Sequence, residues 1–493
     1  MSYIFNVEKY EKNLTKKIKK KFGRYNTPLK IVKLMLNDFV LDPKMKILEP
    51  GCGVGNFVVT IFDMLNQTYA SRNICNENVK ELILKNNIFA IDNDLQAVKI
   101  LKNFLNADKF NHNIKIGSFL KQTDFENEKF DLIIGNPPYA AVLYKDEKKY
   151  CQKQFPDIFN QTNDTAAFFI AKSIDLLKEG GYLSLIIPAT ILRVLKYSSL
   201  LRKIKNECFV KKIIDIRSAF KDVGYEEIII LIQKKNKIEK PKEVEIVTNL
   251  NLNNMTYRKH TLNYDFFEKR TIFPIFVSND LVPFIKKIEE NTLPLSIIAK
   301  MPRGLSITVN DSRYISNKKI SGYLRALRGR DIERFRIKNF KIYVKIPSSR
   351  CKKYNNLFES KKIVVQNLAY KIVAALEEGD NVPLDTLNTV ILKNNNFEYE
   401  YILCILNSQL MSFYFQNMIT NRARLNIHLD EPYLGQIPIK IINKIEQQKF
   451  VSLVNELNKN WDKKIIENIN DEIFKLYGII NDRKTIIDNT ING

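Results

Sequence analysis

From about residue 25 to about residue 235, short apolar runs alternate with stretches whose apolar residues recur every three or four positions. The runs KILEPG, NIFAID, FDLIIGNPPY, GYLSLIIPAT, VKKIIDIR and EEIIILIQKK predict strands, because branched and aromatic residues in short blocks bounded by turn residues suit a pleated, buried surface. Helices are predicted between them at Leu29 to Phe39, Asn93 to Leu105 and Thr165 to Leu177, with Glu179, Gly180 and Gly181 ending the last. This alternation predicts a doubly wound α/β domain on a mainly parallel sheet, occupying residues 1–238.

The pattern then changes. QKKNKIEKPKEVEIV is charged and carries a proline, which predicts a connector over residues 239–284. Residues 285–440 mix short strands with irregular polar segments such as MPRGLSITVN and RALRGRDIERFRI, whose periodicity is too weak to read a fold from; an α+β domain is the expectation there. Residues 441–493 return to helical spacing and predict a helical C-terminal segment.

Composition adds a partner. Lys and Arg total 78 against 54 Asp and Glu, a formal net charge of +24, and such an excess attracts polyanions by releasing phosphate counterions. Lysine and isoleucine bias alone can reflect an AT-rich genome. Arginine clustering does not follow from that bias, and eight of the eighteen arginines fall between Arg303 and Arg350. No apolar run is long enough to span a membrane, and the basic N-terminus lacks the apolar stretch of a signal peptide, so a cytoplasmic protein with no membrane partner is expected. Six dispersed cysteines and three histidines support neither a disulfide framework nor a metal site.

Candidate chemistry begins in KILEPGCGVGNF, where Glu49, Pro50, Gly51, Gly53 and Gly55 follow a predicted strand and open a helix. Glycines there let the backbone turn tightly and approach a ligand, although similar turns also serve other nucleotides or packing alone. The next strand ends in Asp92, where a carboxylate can accept hydrogen bonds from both hydroxyls of a ribose. Asp94, two residues on, suits helix capping instead.

The strand FDLIIG leads into Asn136, Pro137, Pro138 and Tyr139. An aromatic amine is a poor nucleophile because its lone pair is delocalised, yet two acceptors can hold its two N–H donors. The Asn136 side-chain oxygen and the Pro137 carbonyl suit that task, favouring a pyramidal nitrogen aimed in line at a sulfonium methyl. Two prolines stiffen the loop, and Tyr139 offers a face on which a flipped base can stack. The competing structural account is an ordinary turn with a locally packed tyrosine.

On these residues the chain resembles the gamma group of amino-methyltransferases, specifically the TaqI-type N6-adenine DNA methyltransferases of restriction-modification systems. The motif order agrees, with Thr27 and Pro28 ahead of the glycine turn, then Asp92, then NPPY. The resemblance implies a Rossmann-like class I methyltransferase domain followed by a target-recognition domain. It implies S-adenosyl-L-methionine as cofactor, with Thr27, Ser118, Phe119 and Asn136 joining the glycine turn and Asp92 around it. Phe220 matches a second aromatic that sandwiches the extruded adenine, with core packing as its alternative. Ser118 is a departure, since the family usually carries an acidic residue there. Arg303, Arg325, Arg328, Arg330, Arg334 and Arg336 are candidates for phosphate and guanine contacts. Double-stranded DNA is the expected partner, any restriction endonuclease a separate chain, and the enzyme a monomer.

Two other readings stand beside this one. Glutamine-directed methyltransferases also use NPPY, though they lack a long basic domain after it, and an RNA-directed enzyme with an added domain fits as well. A catalytically idle DNA-binding subunit is the third reading, against which the intact Asn136, Tyr139 and Asp92 weigh.

Overall fold

Nine strands form one sheet in the order β3-β2-β1-β4-β5-β7-β6-β8-β9. They are β1 (Ile47–Pro50), β2 (Ile88–Asp92), β3 (Asn113–Ile116), β4 (Phe130–Gly135), β5 (Leu177–Pro188), β6 (Cys208–Asp215), β7 (Glu227–Lys234), β8 (Glu243–Asn251) and β9 (Thr256–Asn263). The computed structural model describes residues 7, 10, 26–74, 78–121, 125–139, 141–216, 226–236, 239–307, 313–338, 342–347, 360–423 and 428–479. The chain divides into two compact units, residues 1–275 and 276–493.

In the first unit β3, β2, β1, β4 and β5 run parallel, and β7 enters antiparallel between β5 and β6. The strand sequences explain the central position of β7: seven of its eight residues are buried, from Glu227 through Gln233. Each fully buried isoleucine there contributes roughly 2 kcal/mol over exposure. Helices flank the sheet: α1 (Leu29–Leu36), α2 (Asn56–Ser71), α3 (Leu95–Leu105), α4 (Lys145–Gln154), α5 (Thr165–Leu176) and α6 (Ser198–Glu207). α3 shows the local logic. Asp94 caps it by accepting from the backbone N–H of Gln96 (2.9 Å) and Ala97 (3.2 Å), and Ala97, Val98, Leu101 and Leu105 form its buried stripe.

Two expectations change. α5 ends at Leu176, and Leu177–Pro188 is already strand through Glu179, Gly180 and Gly181, because Leu177 pairs with Phe130 across a bulge. The stretch 239–284 is not a connector: β8 pairs with β6, and β9 pairs with β8, so the sheet continues through it. Alternation in EVEIVTN buries one face of β8 despite its charges, a half-buried pattern that lysines and prolines nearby obscure.

The second unit uses short strands. Ala299–Lys300, Leu387–Leu392, Lys362–Gln366 and Ala374–Glu377 form an antiparallel four-stranded sheet, in that order. A second four-stranded sheet joins Ile315–Ser316, Tyr343–Val344, Leu324–Leu327 and Val382–Pro383. Leu305, Leu327, Val364, Ala375, Leu384 and Leu387 belong to one core between these strands. The helix Tyr399–Asn407 packs on the strand Ala374–Glu377, and helices Lys444–Lys459 and Lys463–Leu476 pack on it in turn. No helix among the described residues is long and apolar enough to cross a membrane.

Candidate active site

The carboxyl ends of β1, β2 and β4 bring three sequence-distant loops together. Past β1, Gly51 and Cys52 donate backbone hydrogen bonds to the Ile91 carbonyl at 2.8 and 3.1 Å, which ties the glycine loop to the end of β2. Asp92 closes the loop from the other side. One carboxylate oxygen accepts from Gly53 N at 2.8 Å and the other from Asp94 N at 2.8 Å, so its plane is set by two backbone donors.

The glycines have different jobs. Gly55 has φ +94°, and a Cβ there would lie 2.4 Å from Leu101 Cδ1, so the residue lets α2 and α3 approach. Gly53 has φ +52° and nothing within 4 Å of a Cβ position, so its face is open. Open space beside Asp92 is what a nucleoside-bearing cofactor requires. Glu49 lies beneath the loop, buried, accepting from Val58 N at 3.1 Å, and burial raises its carboxyl well above the usual range.

From β4, Asn136 reaches the same place. Its Nδ2 donates to Thr27 Oγ at 3.3 Å, while the Thr27 carbonyl accepts from Asn56 Nδ2 at 2.8 Å. The Asn136 side-chain oxygen is buried with no hydrogen-bond partner among the described residues. A buried acceptor without a donor is costly, and its retention points to a donor that arrives with a ligand. A Cβ on Gly51 would lie 3.4 Å from Pro138 Cδ and 3.9 Å from Phe169 Cε1, so the glycine loop, NPPY and α5 meet. Tyr139 is 3% exposed, and its phenol donates to Glu227 Oε1 at 2.8 Å.

Past β3, Phe119 is buried with its ring 5.0 Å from that of Phe169. Ser118 donates to Glu147 Oε1 at 2.5 Å, and the other oxygen of Glu147 accepts from Tyr144 N at 2.7 Å. A carboxylate from α4 therefore stands behind the serine. Sequence reading singled out neither Glu147 nor Asn56, Phe169 or Glu227. Only Glu227 carries a signal, an acid at the start of an otherwise apolar strand. Phe220 lies outside the described residues.

In the second unit the six candidate arginines part into two groups. Arg328 is half-buried and grips Asp331 through Nε (2.8 Å) and Nη2 (2.9 Å). Arg334 is half-buried and donates to the Asn407 carbonyl. Arg303, Arg325, Arg330 and Arg336 are exposed. Of these, Arg303 donates to the Asp385 carbonyl at 3.0 Å, and Arg336 pairs with Glu333 at 2.7 Å and lies 4.4 Å from the Trp461 ring centre.

Residues 56–221 match the model of the Eco57I restriction-modification methylase family, and residues 324–439 match the TaqI-like C-terminal specificity domain. A type II restriction enzyme and methyltransferase of Methanocaldococcus jannaschii is 27% identical over 411 residues, 77% of this chain and 33% of that protein. The chain thus spans about a third of that relative's length. The type II methyltransferase M.VspI of Vibrio sp. is 25% identical over 333 residues, 66% of this chain and 74% of that one. In fold, the chain is similar to the type IIL restriction-modification enzyme MmeI solved in complex with DNA, with a TM-score of 0.62 at 10% identity, over 97% of this chain and 77% of that one. A stretch that matches the Eco57I restriction-modification methylase model and a stretch that matches the TaqI-like specificity domain thus follow each other on one polypeptide, and that combination supports a DNA methyltransferase of a restriction-modification system.

Proposed function

We propose that the protein transfers a methyl group from S-adenosyl-L-methionine to the N6 amine of an adenine flipped out of double-stranded DNA. One observation carries this reading: the Asn136 side-chain oxygen is a buried acceptor without a donor, at the rim of the glycine loop. The exocyclic amine supplies the missing donor. Asn136 takes one N–H and the Pro137 carbonyl the other, which localises the nitrogen lone pair and turns it toward the cofactor. Thr27 holds the amide from behind, so its orientation is set before the base arrives. Tyr139 gives the base a stacking surface, with Phe220 proposed on the opposite face.

The residues present fit the cofactor. Glycine, with its open face at Gly53, leaves room for a ligand beside the Asp92 carboxylate, which is placed to take ribose hydroxyls. Phe119 flanks the proposed adenine pocket, and Ser118 with Glu147 offers oxygen acceptors at its edge. Bound there, S-adenosyl-L-methionine supplies an electrophilic sulfonium methyl. Transfer then needs neither metal nor strong base from the chain, only orientation and the loss of one proton from the amine.

DNA is preferred over RNA or a protein glutamine as substrate because the second unit matches a specificity domain and carries the arginine cluster. Arg303, Arg325, Arg330 and Arg336 are proposed to face phosphates and base edges, with Arg328 and Arg334 also in the cluster and shaping its loop. A monomeric cytoplasmic enzyme is proposed.

The test is methylation-aware sequencing of plasmid DNA from cells expressing the wild-type protein or Asn136→Ala. N6-methyladenine at one short motif, absent with Asn136→Ala, is the expected result. Wild-type DNA without modified adenine, or a variant that still modifies it, overturns the reading.

A further inference from the structure

Glu227 is fully buried, yet its side chain makes a single hydrogen bond among the described residues, the one from the Tyr139 phenol. Its second carboxylate oxygen is buried and without a hydrogen-bond partner. An isoleucine-rich strand such as EIIILIQK has every reason to begin with another apolar residue, because burying a carboxylate that is not ion-paired is strongly unfavourable. Something at this position uses the acid.

The backbone holds Glu227 fast. The β5–β7 register sets it opposite Pro188, and its carbonyl accepts from Ile216 N at 3.2 Å. The neighbouring Glu226 carbonyl accepts from Ala189 N at 2.7 Å, and the Glu226 carboxylate lies 2.7 Å from Arg193 in a buried ion pair. Three strand ends therefore fix the post to which the Tyr139 ring is tied, and that post lies 88 residues further along the chain.

We infer that Glu227 is a positioning residue: its carboxylate sets the pose of the Tyr139 ring, and so the surface on which the target base stacks. This rests on the reading of Tyr139 given under Proposed function. Tied at both its Cβ and its phenol tip, the ring cannot swing when a base enters, so the aligned pose of the amine beside Asn136 does not depend on ordering Tyr139 during the reaction.

The tether has a protonation state. Burial raises the Glu227 carboxyl to about 7, with the tyrosine bond acting in the opposite direction. Among the described residues, Tyr139 from the β4 loop donates to it, and the charged groups on the elements packed against it are Glu226 on β7, paired with Arg193 in the turn after β5, and Asp215 at the end of the adjoining strand β6. Above its pKa, Glu227 accepts a charge-assisted bond from the phenol; below it, the bond is neutral and weaker. The tether is thus tightest at the alkaline end and loosens as pH falls through about 7.

The experiment measures methyl transfer from labelled S-adenosyl-L-methionine to unmethylated genomic DNA across neutral pH, with base analysis of the product. It compares the full-length wild type, Glu227→Gln, Glu227→Ala, Tyr139→Phe and the Tyr139→Phe/Glu227→Ala double variant. Glu227→Ala is expected to lower kcat roughly ten- to a hundredfold, the scale of a small misplacement of reacting groups, with KM for the cofactor unchanged. Glu227→Gln keeps an acceptor and is expected to recover most of that loss while abolishing the decline below about pH 7. Tyr139→Phe should match Glu227→Ala, and the double variant should be no worse than either. Tyr139→Phe removes one oxygen atom only, so the comparison stands even where Glu227→Ala misfolds. Wild-type kcat in Glu227→Ala or Tyr139→Phe overturns the tether, as does multiplication of the two losses, or a Glu227→Gln profile that still falls at the wild-type pH. Methyl groups on an amine other than adenine N6 remove the adenine assignment, and the same variants then judge the tether on that product.

Discussion

Two asparagines separate the two units. Asn136 in the first has a buried side-chain oxygen with no partner, whereas Asn407 in the second is fully buried and donates to the Ala374 carbonyl (2.9 Å) while accepting from Ala374 N (3.1 Å). The first unit takes its stability from long apolar strands, and Asp92, Asn136 and Tyr139 stand at or just past strand ends. The second buries Asn367, Asn388, Asn407, Asn417 and Gln447 through its interior, where their side chains donate to backbone carbonyls of loops, strands and helices. Where Asn407 is satisfied at both ends of its amide, Asn136 keeps one acceptor open beside the glycine loop.

The largest effect that this contrast predicts is on chemistry. Asn136→Ala should lower methyl transfer by about a thousandfold, the scale seen when one oriented hydrogen-bonding group is removed from a reacting centre. Its melting temperature should stay close to the wild type, because the oxygen removed makes no bond among the described residues and the nitrogen gives up only the long bond to Thr27 Oγ at 3.3 Å. A large loss of stability would mean that Asn136 is scaffolding after all.

Next is Gly55→Ala, expected to cost about 3 kcal/mol in the first unit. A left-handed φ of +94° is added to a Cβ 2.4 Å from Leu101 Cδ1. Denaturant titration measures it, and a cost under about 1 kcal/mol would show that α2 and α3 have slack between them.

Asn407→Ala should destabilise the second unit by about 2 kcal/mol, since Ala374 N loses its partner inside the core. Hydrogen exchange should show faster opening of the strand Ala374–Glu377 while the first unit is unchanged. Uniform loss across both units would deny that they are separable in stability.

The smallest effect belongs to the exposed arginines. Arg325→Ala with Arg330→Ala should weaken DNA binding and reduce the slope of log K against log salt by roughly 2, one per phosphate contact, with unfolding unaltered. An unchanged slope, read from filter-binding titrations, moves the contact surface elsewhere.

Much of the first unit was legible because its signals are local. Six apolar runs are six strands of the sheet, Asp94 caps α3 as its position before NDLQAVKIL implied, and the glycine turn follows β1. Alternating polar residues in β8 and β9 hid the two strands that extend the sheet, since a half-exposed strand reads as a charged linker. Strands as short as Ala299–Lys300 or Val382–Pro383 contain no periodicity to detect.

By itself, then, the sequence placed the residues proposed for the chemistry: Asp92 at one strand end, Asn136 to Tyr139 past another, and glycines where backbone must come close. These depend on neighbours a few positions apart, and local sterics and burial settle them. Only the tertiary structure decided who holds whom. Thr27 stands behind Asn136 across 109 residues, Glu147 behind Ser118 across 29, and Glu227 behind Tyr139 across 88. Such pairings arise when packed strands bring their ends together and most buried polar atoms find a partner, a condition set by the whole fold and contained in no single segment.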